Sequence, residues 1–120
     1  MSVLDDVADW LSLQETAQLL GVDLRRVRRL LHDRQLVALR RAPYPGAGVE
    51  PRVPALLIAD GQPLPELAGT VTVLADAGFD DEAILRWLFT ADPTLPGSPV
   101  EAMRAGRKTE IRRRAQALAF

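Results

Sequence analysis

Seven arginines fall within residues 22–41: Arg25, Arg26, Arg28, Arg29, Arg34, Arg40 and Arg41, nearly half of the fifteen Lys and Arg side chains of the protein. A guanidinium is a planar fork of donors that stays charged at physiological pH. It matches two kinds of acceptor pair, the oxygens of a phosphate and the N7/O6 edge of guanine. Such a density is chemistry aimed at a polyanion, unless the arginines only solvate a helix face. His32, the single histidine, lies among them, and there is no cysteine. One histidine cannot build a metal site, and no thiolate nucleophile is available. No metal and no cofactor is expected.

The spacing separates these side chains from a buried stripe. Leu24, Val27, Leu30 and Leu31 repeat with a helical period. On a wheel of about 100° per residue, Arg25 and Arg29 fall opposite that stripe, with Arg26 and Arg28 on the flanks and His32 beside Arg28. No acid stands between Asp23 and Asp33. Arg25 and Arg29 are like charges four residues apart, an arrangement mildly unfavourable on a helix by itself. A polyanion would relieve it.

The elements around this helix follow from local signals. Ser12-Leu13-Gln14-Glu15 has the form of a capping box, so a helix should start there, with Leu13, Ala17, Leu19 and Leu20 as its apolar stripe and Gly21 as its stop. Asp23 is the next N-cap, which leaves a turn of two or three residues: helix, short turn, helix. Leu36–Arg41 then reads as a strand, followed by a proline- and glycine-rich loop, Ala42 to Gly48. A second strand from Val49 to Val53 would complete a β-hairpin wing, with Pro51 confining it to a sheet edge. Arg40 and Arg41 would stand at the base of the wing.

Ala59–Pro63 is the expected boundary. Beyond it the pattern is helical: a helix with Pro65 in its first turn and Gly78 at its end, one capped by Asp80 and containing Trp87, a short one opened by the Ser98–Glu101 capping box and ended by Gly106, and a last one from Thr109. Charge is segregated along this order. Residues 1–22 hold four acids and no base, residues 23–52 eight bases and three acids, residues 53–103 one base and eight acids, and residues 104–120 six bases and one acid. Two functionally different regions are implied. The C-terminal basic cluster could serve phosphate contacts, ion pairs with the acidic block, or solvation.

Catalysis has little to build on. Asp80, Asp81 and Glu82 are consecutive at a helix start, where the helix dipole explains them. No glycine-rich phosphate loop is present. No apolar run reaches the roughly 18 residues of a membrane span, and the acidic N-terminus does not read as a secretory signal. A cytoplasmic protein, nucleoid-associated when bound to DNA, is the expectation.

The run SLQETAQLLGVDLRRVRRLLHDRQLVALRR resembles the winged helix-turn-helix of the MerR and excisionase class, through Glu15, Ala17, Leu20, Gly21, Val22, Val27, Leu30, Leu36, Ala38 and Arg40. Gln35 stands where that class usually has glycine. The resemblance covers about residues 10–58. Val53-Pro54-Ala55, Gly78-Phe79, Trp87–Thr90, Asp92-Pro93, Leu95 and Arg113–Ala117 extend it over nearly the whole chain, to a small actinobacterial family of DNA-binding proteins with a short helical domain behind the wing. Ala83, Trp87, Leu88, Leu95, Gly97, Pro99, Val100, Met103 and Gly106 also resemble the toxin-binding domain of Xre/ParS-type antitoxins.

The expectation is therefore a mainly α protein: a winged helix-turn-helix over residues 1–60, then a helical C-terminal domain over 61–120. The resemblance implies sequence-specific binding of double-stranded DNA and transcriptional regulation. Arg25, Arg26, Arg28, Arg29, His32, Arg34, Arg40 and Arg41 are the candidate contacts. One such unit covers a single short half-site, so a homodimer or a protein partner is implied. The alternative is an antitoxin-like or adaptor module whose C-terminal domain holds a protein.

Overall fold

Ser12 and Glu15 satisfy each other's backbone donors (Ser12 N to Glu15 Oε1, 2.8 Å; Glu15 N to Ser12 Oγ, 3.0 Å). Helix α1 (Leu13–Leu20) begins there in the computed structural model, which describes residues 3–118. It stops at Gly21, whose φ of 70° would strain any side-chain-bearing residue. Asp23 accepts a hydrogen bond from Arg26 N at 2.8 Å and opens α2 (Leu24–His32). Gly21 to Asp23 is the whole connection, so the two helices form the expected helix-turn-helix.

Helix α2 buries Val27 and Leu30, as its period requires. The stripe of α1 differs from expectation: Thr16 and Ala17 are buried, while Leu19 is 49% exposed. The Thr16 hydroxyl donates to Ser12 O at 2.8 Å, and a satisfied hydroxyl can be buried at little cost.

The wing has three strands. β1 (Trp10–Ser12), β2 (Leu39–Arg41) and β3 (Glu50–Pro54) form an antiparallel sheet in the order β1-β3-β2. Leu36 and Val37 lie outside β2, contrary to expectation, because they plug the core just before the strand starts. β3 is central, not an edge. The register explains how it tolerates Pro51: β2 pairs with Glu50–Arg52 and β1 pairs with Arg52–Pro54. Arg52 alone has a partner on both sides, so Pro51 and Pro54 each sit where one flank is open.

At the expected boundary the chain makes a further small hairpin, β4 (Ile58–Ala59) with β5 (Gln62–Pro63). Asp60 and Gly61 turn it with positive φ at both positions, 54° and 71°, the conformation that Asp-Gly supplies most readily. Four helices follow: α3 (Leu67–Asp76), α4 (Asp81–Phe89), α5 (Pro99–Arg104) and α6 (Lys108–Ala117). Pro65 precedes α3 rather than sitting in its first turn, since the chain bends at Glu66 (φ 68°) before becoming helical. Asp80 and the Ser98/Glu101 box cap α4 and α5 as their sequences require.

One apolar cluster runs through both halves. Leu30, Leu36, Val37, Val53 and Leu57 join Leu67, Val71, Leu74, Ile84, Leu85, Leu88, Val100 and Ile111. Helix α2 is thus fixed from below by the helical half, and its outer face is left to solvent. No helix among the described residues is long and apolar enough to cross a membrane.

Candidate nucleic-acid interface

Burial of Val27 and Leu30 turns the other side of α2 outward, and Arg25, Arg26, Arg28, Arg29 and His32 are all exposed. Arg25, Arg26 and Arg29 surround a shallow depression beside Asp23. Arg28 faces a second groove, lined by Ser12, Leu13, Gln14 and Leu24 on one side and Glu50 and Pro51 of β3 on the other. The arginines therefore form one outward face whose Arg28 edge meets the wing. Among the described residues no acid pairs with Arg25, Arg26 or Arg28. Arg29 lies 3.6 Å from Asp33, and His32 Nδ1 lies 3.3 Å from the same carboxylate.

The wing arginines diverge. Arg40 is exposed on the edge strand and donates to Val49 O at 3.3 Å. Arg41 points the other way, with Nη2 2.7 Å from Asp5 and its guanidinium carbon 4.8 Å from the Trp10 ring centroid. Its fork is engaged within the protein. Arg52, which the sequence reading did not single out, ties the wing to α1. It pairs with Glu50 at 2.9 Å and lies 3.9 Å from Glu15, and its Nε is buried without a partner. The Ser12 donors, and then Arg52, hold the Glu15 carboxyl below the usual glutamate range. Nothing local in the sequence marks the contacts of Arg41 with Asp5 and of Arg52 with Glu15, because each joins separate elements.

Arg34 has a different setting. Its N–H donates to Leu31 O and that of Gln35 to Leu30 O (3.2 and 2.9 Å), which closes α2 with Arg34 at φ 62°. The left-handed residue is thus Arg34, one before Gln35, the position where the resembled class usually has glycine. A left-handed conformation costs a non-glycine residue roughly 1–2 kcal/mol. The side chain meets Asp76, the last residue of α3, at 3.7 Å, with 45% and 74% of the two side chains exposed. An exposed pair of that kind contributes about 0–1 kcal/mol, less than the strain.

The C-terminal basic cluster is mostly paired inside the protein. Arg104 donates to Leu56 O and Ile58 O, Arg107 meets Glu110, Arg112 meets Glu66, and Arg114 meets Asp92 and Glu110. Lys108 and Arg113 have no acid partner among the described residues. No group of three or more His, Cys, Asp or Glu that could hold a metal occurs among the described residues.

Comparison with known proteins gives this arrangement a lineage. Residues 1–58 match the family described as DNA-binding protein Rv2175c, wHTH domain. Residues 64–119 match the Rv2175c C-terminal domain of unknown function. The chain is 40% identical over 130 residues to the DNA-binding protein Rv2175c of Mycobacterium tuberculosis, covering 98% of this chain and 86% of that one. Its fold is similar to the NMR structure of Rv2175c, with a TM-score of 0.83 and 36% identity over 100% of this chain and 87% of the other. The protein belongs to the Rv2175c family of DNA-binding proteins, with a winged helix-turn-helix domain in front and the family's C-terminal domain behind it.

Proposed function

We propose that this protein binds double-stranded DNA with sequence preference and regulates transcription, α2 entering the major groove. The observation that carries this reading is the outer face of α2, where exposed Arg25, Arg26 and Arg28 have no acid partner among the described residues and Arg29 has only a 3.6 Å contact. In helix-turn-helix proteins the second helix occupies the major groove and its N-terminal residues approach the base edges. That assigns Arg25 and Arg29 to base edges or phosphates, with Arg26, Arg28 and His32 at the sides. Arg40, exposed and tied among the described residues only to Val49 O, is assigned to the DNA backbone beside the wing, whereas Arg41 supports the wing.

The resemblance of residues 10–58 to the winged helix-turn-helix of the MerR and excisionase class supports this docking. A single α2 covers one short half-site, so selective binding in a cell calls for two copies on the DNA or a second protein. On DNA the protein would be nucleoid-associated.

The test is the double variant Arg25→Ala/Arg29→Ala, measured by fluorescence anisotropy on duplexes recovered by selection from random sequence. Circular dichroism should show an intact fold, since both side chains are exposed, and DNA affinity should fall at least tenfold. Parent-like affinity in the double variant would mean that α2 is not the DNA-binding element.

A further inference from the structure

Four helices of this protein end in the same pair of backbone hydrogen bonds, and three of them use glycine for it. The bonds Val22 N to Ala17 O, Phe79 N to Leu74 O and Arg107 N to Ala102 O close α1, α3 and α5. The left-handed residue is Gly21, Gly78 or Gly106 in turn, as this closure favours. The fourth closure, at the end of α2, puts Arg34 in that position.

The contacts inside the protein do not offset that choice. Asp76 is a distant and highly exposed partner at 3.7 Å. Positive charge at the C-terminal end of the helix is already supplied by Arg29 in the last turn. Nor is Arg34 a packing residue: it is exposed, and it borders a groove whose apolar lining comes from Leu31, Leu36, Val37 and Val71. What the position provides is a guanidinium just past the end of α2, about two and a half turns beyond Arg25, 3.7 Å from Asp76 and bordering a groove that Asp81 also lines.

We infer that Arg34 is a DNA-backbone contact at the C-terminal end of α2, held by Asp76 when DNA is absent. This rests on the DNA-binding reading of α2. A phosphate offers the guanidinium two oxygens in place of one remote carboxylate, and such contacts fix a protein's register on the duplex without reading bases. Asp76 then acts against binding: the acidic helical half competes with the duplex for Arg34.

The experiment compares the parent with Arg34→Gly, Asp76→Asn and Arg113→Ala in the full chain. Affinity for a mixed-sequence duplex of two to three helical turns is measured across a salt series, with Tm for each variant. Arg34→Gly should bind several-fold more weakly at low salt, lower the salt slope by about 0.9 and raise Tm by relieving the turn. Asp76→Asn should bind about twofold more tightly. Arg113→Ala removes the same charge from an exposed, acid-free site on α6 and should leave the slope alone. An unchanged slope in Arg34→Gly overturns the inference whatever happens to Tm. The Arg25→Ala/Arg29→Ala variant separates the two failures. If it also binds normally, the reading of α2 has failed; if it loses binding while Arg34→Gly keeps its slope, only the role of Arg34 has.

Discussion

Arg41 lies over Trp10, its guanidinium carbon 4.8 Å from the ring centroid, and so couples the two outer strands of the wing sheet. Asp5 completes the arrangement from a short 3-10 turn, Val3–Asp6, 2.7 Å from Nη2. With Arg41 only 24% exposed, the stack is partly desolvated, and such contacts contribute about 0.5–2 kcal/mol. Arg41→Ala should therefore lower stability by about 1–2 kcal/mol. That corresponds to a fall in Tm of roughly 4 °C for each kcal/mol in a chain of this length. Thermal melts followed by circular dichroism test this, and an unchanged Tm would return Arg41 to the pool of candidate DNA contacts.

How legible this was in the sequence depends on distance along the chain. The caps at Ser12/Glu15, Asp23, Asp80 and Ser98/Glu101 are local, and each helix they announce is present. The outward arginine face follows from the period of Leu24, Val27 and Leu30 alone. β1 spans three residues, Trp10–Ser12, too few to show an alternation, and exists because β3 offers it an edge. The hairpin at Ile58–Pro63 did carry a signal, the Asp60-Gly61 turn, which is masked by its position where a linker was expected. Arg41 with Asp5, Arg34 with Asp76 and Arg112 with Glu66 join residues far apart in sequence. They decide which arginines are occupied, and no local pattern encodes them.

Asp33 is the acid whose side chain meets the arginine face of α2, 3.6 Å from Arg29 and 3.3 Å from His32. It ends α2 through its backbone N–H, which donates to Arg29 O, so its side chain is dispensable for the helix stop. Asp33→Asn should leave Tm nearly unchanged and tighten DNA binding about two- to fivefold at low salt, with a smaller gain at high salt because exposed charges are screened. Weaker binding at low salt would contradict the assignment of Arg29 and His32 to the interface.

Acid should weaken the fold in a specific window. Hydrogen bonds from Ser12 hold the Glu15 carboxyl below its ordinary 4.5, aided by Arg52. The Thr94 hydroxyl and N–H hold Asp92 below 3.8, aided by Arg114. A carboxyl whose pKa is depressed by folding contributes stability above its unfolded value and loses it as pH falls through the folded one. Tm should thus be insensitive to these two groups at neutral pH and drop below about pH 4.5. Glu15→Gln keeps a capping-box side chain but cannot titrate, so it should flatten part of the acid limb while changing the neutral Tm little. An acid limb identical to the parent's would show that Glu15 plays no part in it.

Two glycines outside the left-handed region should respond to alanine with opposite signs. At Gly69, inside α3, an added methyl would meet the Arg112 guanidinium at 3.4 Å, an ordinary contact with a half-exposed side chain. The gain in helix propensity should dominate, and Gly69→Ala should stabilise by about 0.5–1 kcal/mol. At Gly97 the methyl would stand 2.8 Å from Glu101 Oε2, the carboxylate that closes the capping box on Ser98. That carboxylate must move, so Gly97→Ala should destabilise by about 0.5–1 kcal/mol, the usual cost of losing part of an N-cap. Urea midpoints with unchanged m-values separate the two. Stabilisation at Gly97 would mean that the Ser98–Glu101 cap contributes nothing to holding α5 against the core.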